Sequence, residues 1–251
     1  MKNYILIFCF IFLQQLGFGF DLREFKEKEV ENIYNSLSGK GAKPSLEVFK
    51  KAVYGFIVYK NQDVVVKNLL SIVDFSLSSK QKRLWVIDLD KNEIKFHEWV
   101  AHGKNSGYEY ATHFSNVPST NKSSLGFYVT HGLYKGQHGL SLRLNGLESE
   151  INHNARQRAI VMHGAHYVSP KFIDQYGRLG RSYGCPAVRQ DVVNDLIPLL
   201  ADGTCLFIYH PNPVYQEKST LIQSYYTQLE QQENPNTLPV PVKAVHNNLP
   251  R

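Results

Sequence analysis

Cysteine is scarce in this chain. Only Cys9, Cys185 and Cys205 occur among 251 residues, too few for the disulfide framework of a small stapled scaffold. Cys9 lies in an apolar run, 4–13, that is too short for a comfortable membrane span. No lipobox-like context surrounds it, which argues against lipidation. The helical His-Glu-x-x-His pattern of zinc hydrolases is missing. A formal net charge of +6 comes without a basic helix or a known nucleic-acid motif, so no nucleic-acid partner is expected. No internal repeat is present, which excludes a solenoid or propeller.

What the N-terminus does contain is the layout of a secretory signal. Lys2 precedes the apolar run, and Gly17-Phe18-Gly19 supplies a small-x-small cleavage site, so residues 1–19 read as a signal peptide. The expected destination is the periplasm or cell envelope, with no stable membrane insertion after cleavage. Cys205 sits in Thr204-Cys205-Leu206-Phe207-Ile208-Tyr209, a run with the look of a buried strand, where a thiol packs as a small hydrophobe. Cys185 is then left unpaired.

Hydrophobic spacing divides the mature chain. Residues 20–68 read as a small N-terminal helical cap. Asp21-x-x-Glu24 resembles a capping box, and Val30, Ile33, Tyr34 and Leu37 form a first apolar stripe. Gly39, Gly41 and Pro44 break it, and Ser45 opens a second helix carrying Leu46, Phe49, Val53, Phe56 and Ile57. From 69 to 210 the pattern changes to short strands with frequent turns: 70–75, 83–89, 94–101, 125–130, 140–144, 159–162 and 204–209. Residues 114–124 read as loop and 191–200 as a short helix limited by Pro198. This predicts a mainly β fold with helices, in the form of a mostly antiparallel sandwich or barrel. Residues 211–251 read as a C-terminal helix and a flexible tail.

The informative stretch is 159–189. A short apolar strand delivers His163 at its end, Gly164 follows at once, and a glycine-punctuated loop leads to Arg181-Ser182-Tyr183-Gly184-Cys185-Pro186. A thiolate is the nucleophile of cysteine chemistry, and a neighbouring imidazole can take its proton. Gly184 removes bulk where a carbonyl must approach. The backbone N–H groups of Tyr183, Gly184 and Cys185 are candidates for an oxyanion site. Six of the nine arginines, at 143, 156, 158, 178, 181 and 189, cluster on and around this stretch, and arginine suits bidentate carboxylate recognition.

His-Gly, a loop, then Ser-x-Gly-Cys resembles the signature of the murein L,D-transpeptidases (the YkuD-type catalytic domain), and is closest to a periplasmic subgroup with proline after the cysteine. The likeness spans roughly 70–210. It implies an L,D-transpeptidase-like β-sandwich or barrel and a cysteine acyltransferase acting on peptidoglycan stem peptides, with no cofactor and no metal. The carried-over roles are Cys185 as nucleophile, His163 as base and a backbone carbonyl at Gly164 orienting the ring. Arg181, Ser182, His166, Arg189, His138 and His102 become candidates for substrate binding. Tyr183 departs from the family pattern, standing where a second histidine is usual, and Ala187 replaces the usual Arg or Asn two places after the cysteine.

Two other readings remain open at this level. Tyr183 keeps alive a non-catalytic peptidoglycan-binding protein with a degenerate site. His163-x-x-His166 with Cys185 permits a zinc hydrolase holding an open water position.

Overall fold

The computed structural model of the protein describes residues 24–234; the stretch expected to be a leader, 1–19, Asp21 of the capping-box pattern and the tail beyond 234 lie outside the described residues. Two helices come first, α1 (Glu27–Ser36) and α2 (Leu46–Asn61). α1 starts later than the capping-box pattern indicates: Lys26 occupies the cap position, its side chain paired with Glu24 and Glu29 and not with the first-turn N–H groups, and Glu24 lies before the helix. α2 starts where the sequence places it, with Ser45 Oγ accepting the Val48 N–H at 3.3 Å, which satisfies one of the orphan donors of a helix N-terminus. α2 is buried over most of its circumference. A Cβ on Gly55 would lie 2.2 Å from the Phe127 ring, so glycine is what lets this helix approach the sheet.

Ten strands follow one another in a single sheet. They are β1 (Ser38–Gly39), β2 (Leu69–Asp74), β3 (Leu84–Asp88), β4 (Glu93–Glu98), β5 (Val100–Ala101), β6 (Gly126–Gly136), β7 (Gly139–Gly146), β8 (Val161–Ala165), β9 (Ala187–Arg189) and β10 (Cys205–Tyr209). Their order is β1-β4-β3-β2-β10-β6-β7-β8-β9-β5. Most neighbours are antiparallel; β1–β4, β10–β2 and β8–β9 are parallel. Leu70, Ile72, Leu206, Phe207 and Phe127 in the middle strands are completely buried, and they share one hydrophobic cluster with α2.

The sequence run 94–101 is not one strand. It breaks at Trp99 into β4, near one edge of the sheet, and β5, at the other. Since a single residue separates Glu98 from Val100, the sheet must curl until its two ends meet. Arg83 clasps that seam. Its backbone N–H donates to the Glu98 carbonyl at 3.0 Å, and its fully buried guanidinium donates to the Val100 carbonyl at 3.1 and 3.0 Å and to the Leu77 carbonyl at 2.7 Å.

The fourth partner of Arg83 is His102, whose Nδ1 lies 2.8 Å from Nη2. Because guanidinium only donates, Nδ1 accepts and the ring carries its proton on Nε2. Burial, reinforced by the Arg83 charge, pushes the His102 pKa down to about 3. An unfolded histidine titrates near 6.5, so the unfolded chain binds a proton between those values that the native chain does not. This contribution to stability is complete above pH of about 6.5 and is lost as pH falls toward 3. Wild type is therefore expected to lose more stability than His102→Gln between neutral pH and pH of about 4, measured by urea unfolding.

Toward the C-terminus come α3 (Pro170–Tyr176), α4 (Val193–Leu199), α5 (Pro213–Lys218) and α6 (Thr220–Glu233). Pro198 sits inside the short α4, near its end. The single C-terminal helix read from sequence is two, separated at Ser219, and both are docked. Tyr215, Leu221, Ile222 and Tyr225 are buried. Buried Glu148 holds the junction, accepting from the Tyr215 hydroxyl at 3.2 Å, from Ser219 Oγ, and from the Phe127 N–H at 2.8 Å. No helix among the described residues is long and apolar enough to cross a membrane.

Candidate active site

β8 lies between β7 and β9, with His163 opposite Ser141 on one side and Ala187 on the other. Continuing the parallel register of β8 and β9 back by two residues sets Cys185 beside Val161. The sulfur follows: Val161 N–H donates to Cys185 Sγ at 3.5 Å. Val161 and His163 are alternate residues of β8, and the sulfur sits on the backbone N–H of the first. Strand pairing, rather than proximity in sequence, sets Cys185 two positions along β8 from His163.

The imidazole is fixed. His163 is 2% exposed, and its Nδ1 bonds the Gly164 carbonyl at 2.9 Å. A carbonyl only accepts, so Nδ1 carries the proton and Nε2 is left as a basic lone pair, with no hydrogen-bond partner among the described residues. Gly164 is required for packing: a Cβ there would be 2.5 Å from Val193 and 2.6 Å from Gln190. Cys185 is half-buried, and its thiol donates to the Ala159 carbonyl at 3.8 Å.

Both groups are held neutral. Burial lowers the His163 pKa against the opposing bond to Gly164, and nearby His138 lowers it further. Burial raises the Cys185 pKa, opposed by the Val161 N–H and the positive charge of Arg158. A preformed thiolate–imidazolium pair is thereby disfavoured, and a thiol beside a neutral base is favoured.

The loop before the sulfur is held by serines. Ser182 Oγ donates to the Cys185 carbonyl at 2.6 Å and accepts the Gly184 N–H at 3.1 Å. This removes the Gly184 N–H from the oxyanion set and makes Ser182 a brace within its own loop. The N–H groups of Tyr183 and Cys185 have no partner among the described residues. Ser123, which sequence reading passed over as part of a strand approach, donates to the Gly184 carbonyl and accepts the Gly103 N–H, both at 3.0 Å. Gly184 has φ of +124°, and a Cβ on it would lie 2.9 Å from the Lys122 carbonyl and 3.1 Å from Ile160. Gly184→Ala is expected to shift the sulfur and lower kcat about 10²-fold with the circular dichroism spectrum unchanged.

Other candidates fall elsewhere. His102 is buried on Arg83 and presents no ring to a cleft; burial won over the glycine-containing setting that made it look accessible. Arg181 donates to the Lys104 and Gly107 carbonyls, both at 3.0 Å, and stacks on Tyr108. Arg189 is paired with Asp191 and Glu98. Arg189 is thus engaged by carboxylates of the chain itself, while Arg181 bonds through Nη1 alone. His166 is exposed just beyond β8. Tyr183 is 70% exposed, with the Lys104 ammonium 5.2 Å from its ring. His138 lies on the turn between β6 and β7, stacked on His163 with centroids 4.2 Å apart. Cys205 is buried in β10, and both described cysteines are unpaired. Among the described residues no group of three or more His, Cys, Asp or Glu is placed to hold a metal ion.

Arg158 is the residue that sequence reading left as one of six arginines suited to carboxylate recognition, with no place of its own at the site. Its guanidinium donates to the Ser115 carbonyl at 2.6 Å and to the Lys122 carbonyl and Ser124 Oγ. Nη2 would be 3.4 Å from a Cβ on Gly184, which places this charge against the loop carrying the sulfur. The only sequence signal was its membership of that arginine cluster.

Comparison with known proteins agrees with the motif. No curated protein matches this chain. Among solved structures, an L,D-transpeptidase from Mycobacterium smegmatis aligns at 11% identity, covering 57% of this chain and 59% of that one, with a TM-score of 0.36. Bdellovibrio bacteriovorus Bd1075 aligns at 17% identity over 66% and 56% of the two chains, with a TM-score of 0.36. The Stackebrandtia nassauensis L,D-transpeptidase aligns at 14% identity over 74% and 92%, with a TM-score of 0.34. The alignment thus spans less than two thirds of the Mycobacterium smegmatis and Bdellovibrio chains. The L,D-transpeptidase catalytic domain matches residues 40–209, more than half of the sequence, and the chain belongs to that family.

Proposed function

We propose that the protein is an exported enzyme performing cysteine-dependent acyl transfer on peptidoglycan stem peptides. The observation that carries this reading is the placement of Cys185 Sγ on the Val161 N–H, two positions along β8 from His163. Cys185 attacks the carbonyl carbon of an L-to-D amide bond while His163 Nε2 takes the thiol proton. Negative charge develops on the carbonyl oxygen, where the Tyr183 and Cys185 N–H groups stabilise it, at about 3–4 kcal/mol for a good donor. As the C–N bond breaks, His163 returns the proton to the departing amine of the terminal D-residue, and a thioester remains.

In the second half an acceptor attacks the thioester. His163 removes a proton from the acceptor, the C–S bond breaks and the sulfur regains its hydrogen. An acceptor amine yields a cross-link (transpeptidation); water yields a shortened stem (L,D-carboxypeptidase activity). The neutral resting pair fits this cycle, because a base that is already protonated accepts nothing. Export, with residues 1–19 as leader, puts the enzyme where such a substrate lies.

The test is to incubate the mature protein with defined tetrapeptide muropeptides and resolve the products by mass. Cross-linked dimers or tripeptides support the proposal and tell the two acceptors apart. Unchanged substrate across neutral pH overturns it.

A further inference from the structure

β6 and β7 form a long hairpin that ends in Gly136, Gln137, His138 and Gly139, with the two glycines paired across the turn. A two-residue connection of this kind tolerates glycine beside it because the backbone must reverse sharply, and Gly139 has φ of +78°. The turn lies above β8, whose His163 faces Ser141 of β7. There the His138 ring lies nearly parallel to that of His163, with centroids 4.2 Å apart and planes 17° from each other. His138 is exposed and His163 is 2% exposed, so one imidazole roofs the other. His138 is otherwise held only by the amide of Gln137, at 3.2 Å.

We propose that His138 is a positioning residue for the base: the hairpin tip lays a ring over one face of His163, fixing its plane and closing that face to water. This rests on the reading of His163 as the base. The consequence is electrostatic as well as geometric. A desolvated imidazole resists a second charge, and the roof keeps His163 neutral and ready to accept the thiol proton. Few other charged or titratable groups face the ring. The loop at 182–186 presents Cys185, while β9 and β7 present Ala187 and Ser141 at the paired positions. Arg143 of β7 turns away to the Leu133 carbonyl and the Tyr134 ring. Arg158 and Tyr167 act near Cys185.

The experiment is an NMR titration of the His163 ring protons in the wild type, His138→Ala and His138→Phe, with kcat and KM measured on each. Opening the face to water and removing the neighbouring ring lets His163 bind its proton more readily. Its midpoint should therefore rise in His138→Ala, and the acid limb of kcat should move to higher pH with it. A phenyl ring restores the roof, so His138→Phe should return most of both. At neutral pH, kcat should fall about tenfold in His138→Ala, short of the 10²-fold of a full ångström of misplacement, with KM unchanged. An unmoved His163 midpoint in His138→Ala overturns the inference, as does a change confined to KM, which would make His138 a substrate contact. The titration needs no turnover, so a wild type inactive on muropeptides would remove the proposed reaction while the midpoints still judged the roof.

Discussion

Cys185→Ser is expected to abolish turnover, by at least about 10⁴-fold in kcat, while leaving the fold intact. The sulfur is half-buried, and its polar neighbours are the Val161 N–H at 3.5 Å and the Ala159 carbonyl at 3.8 Å. Those distances suit sulfur; a smaller oxygen at the end of a shorter bond sits farther from both. An alcohol is also the weaker nucleophile, and the base here has been tuned downward by burial. The loop is braced through the backbone, by Ser182 and Ser123, and none of those bonds uses the thiol. Unfolding should therefore shift by no more than the roughly 0.5–3 kcal/mol of an ordinary point substitution. Retention of even a tenth of wild-type kcat would remove the nucleophile from this account.

A second large effect is expected far from the sulfur. Arg83→Met should lower stability by at least about 3 kcal/mol, because three buried acceptors each lose their donor at about 1–3 kcal/mol apiece. For a chain of this size that is a fall in Tm of roughly 10 °C. The substitution leaves the Val100 and Leu77 carbonyls and His102 Nδ1 without their donor in a place that water does not reach. It also opens the seam at which β4 and β5 meet. Arg83→Lys should rescue little, because one ammonium lacks the fork that serves these partners together. A loss below about 1 kcal/mol in Arg83→Met would mean that the sheet ends are held some other way.

These residues also mark what was legible in the sequence. The second helix announced itself through Ser45 and its apolar spacing, and β10 through an uninterrupted apolar run, because both signals are local. His163 and Cys185 were readable through residue type and loop context, with the resemblance supplying their pairing. The break at Trp99 was invisible: residues 94–101 look like one strand, and only the curl of the whole sheet splits them. Arg83 looked like an ordinary strand-flanking cation, since its partners are carbonyls that no sequence pattern displays. Ser123 and Arg158 were passed over for the same reason. Each reaches its place through strand register or a loop crossing, so its role exists only once distant segments are paired. His102 was misread in the opposite direction, its glycine neighbours advertising access while Arg83 drew the ring inward.

The central claim is that a stem peptide becomes bonded to one sulfur beside one neutral imidazole. It is tested most directly by mixing the mature protein with a tetrapeptide muropeptide, quenching in acid during turnover and mapping the adduct by mass. The account predicts a tripeptide-bearing acyl group on Cys185, absent in Cys185→Ser and accumulating poorly in His163→Ala. Turnover with Cys185 unmodified, or an acyl group carried elsewhere on the chain, would contradict it.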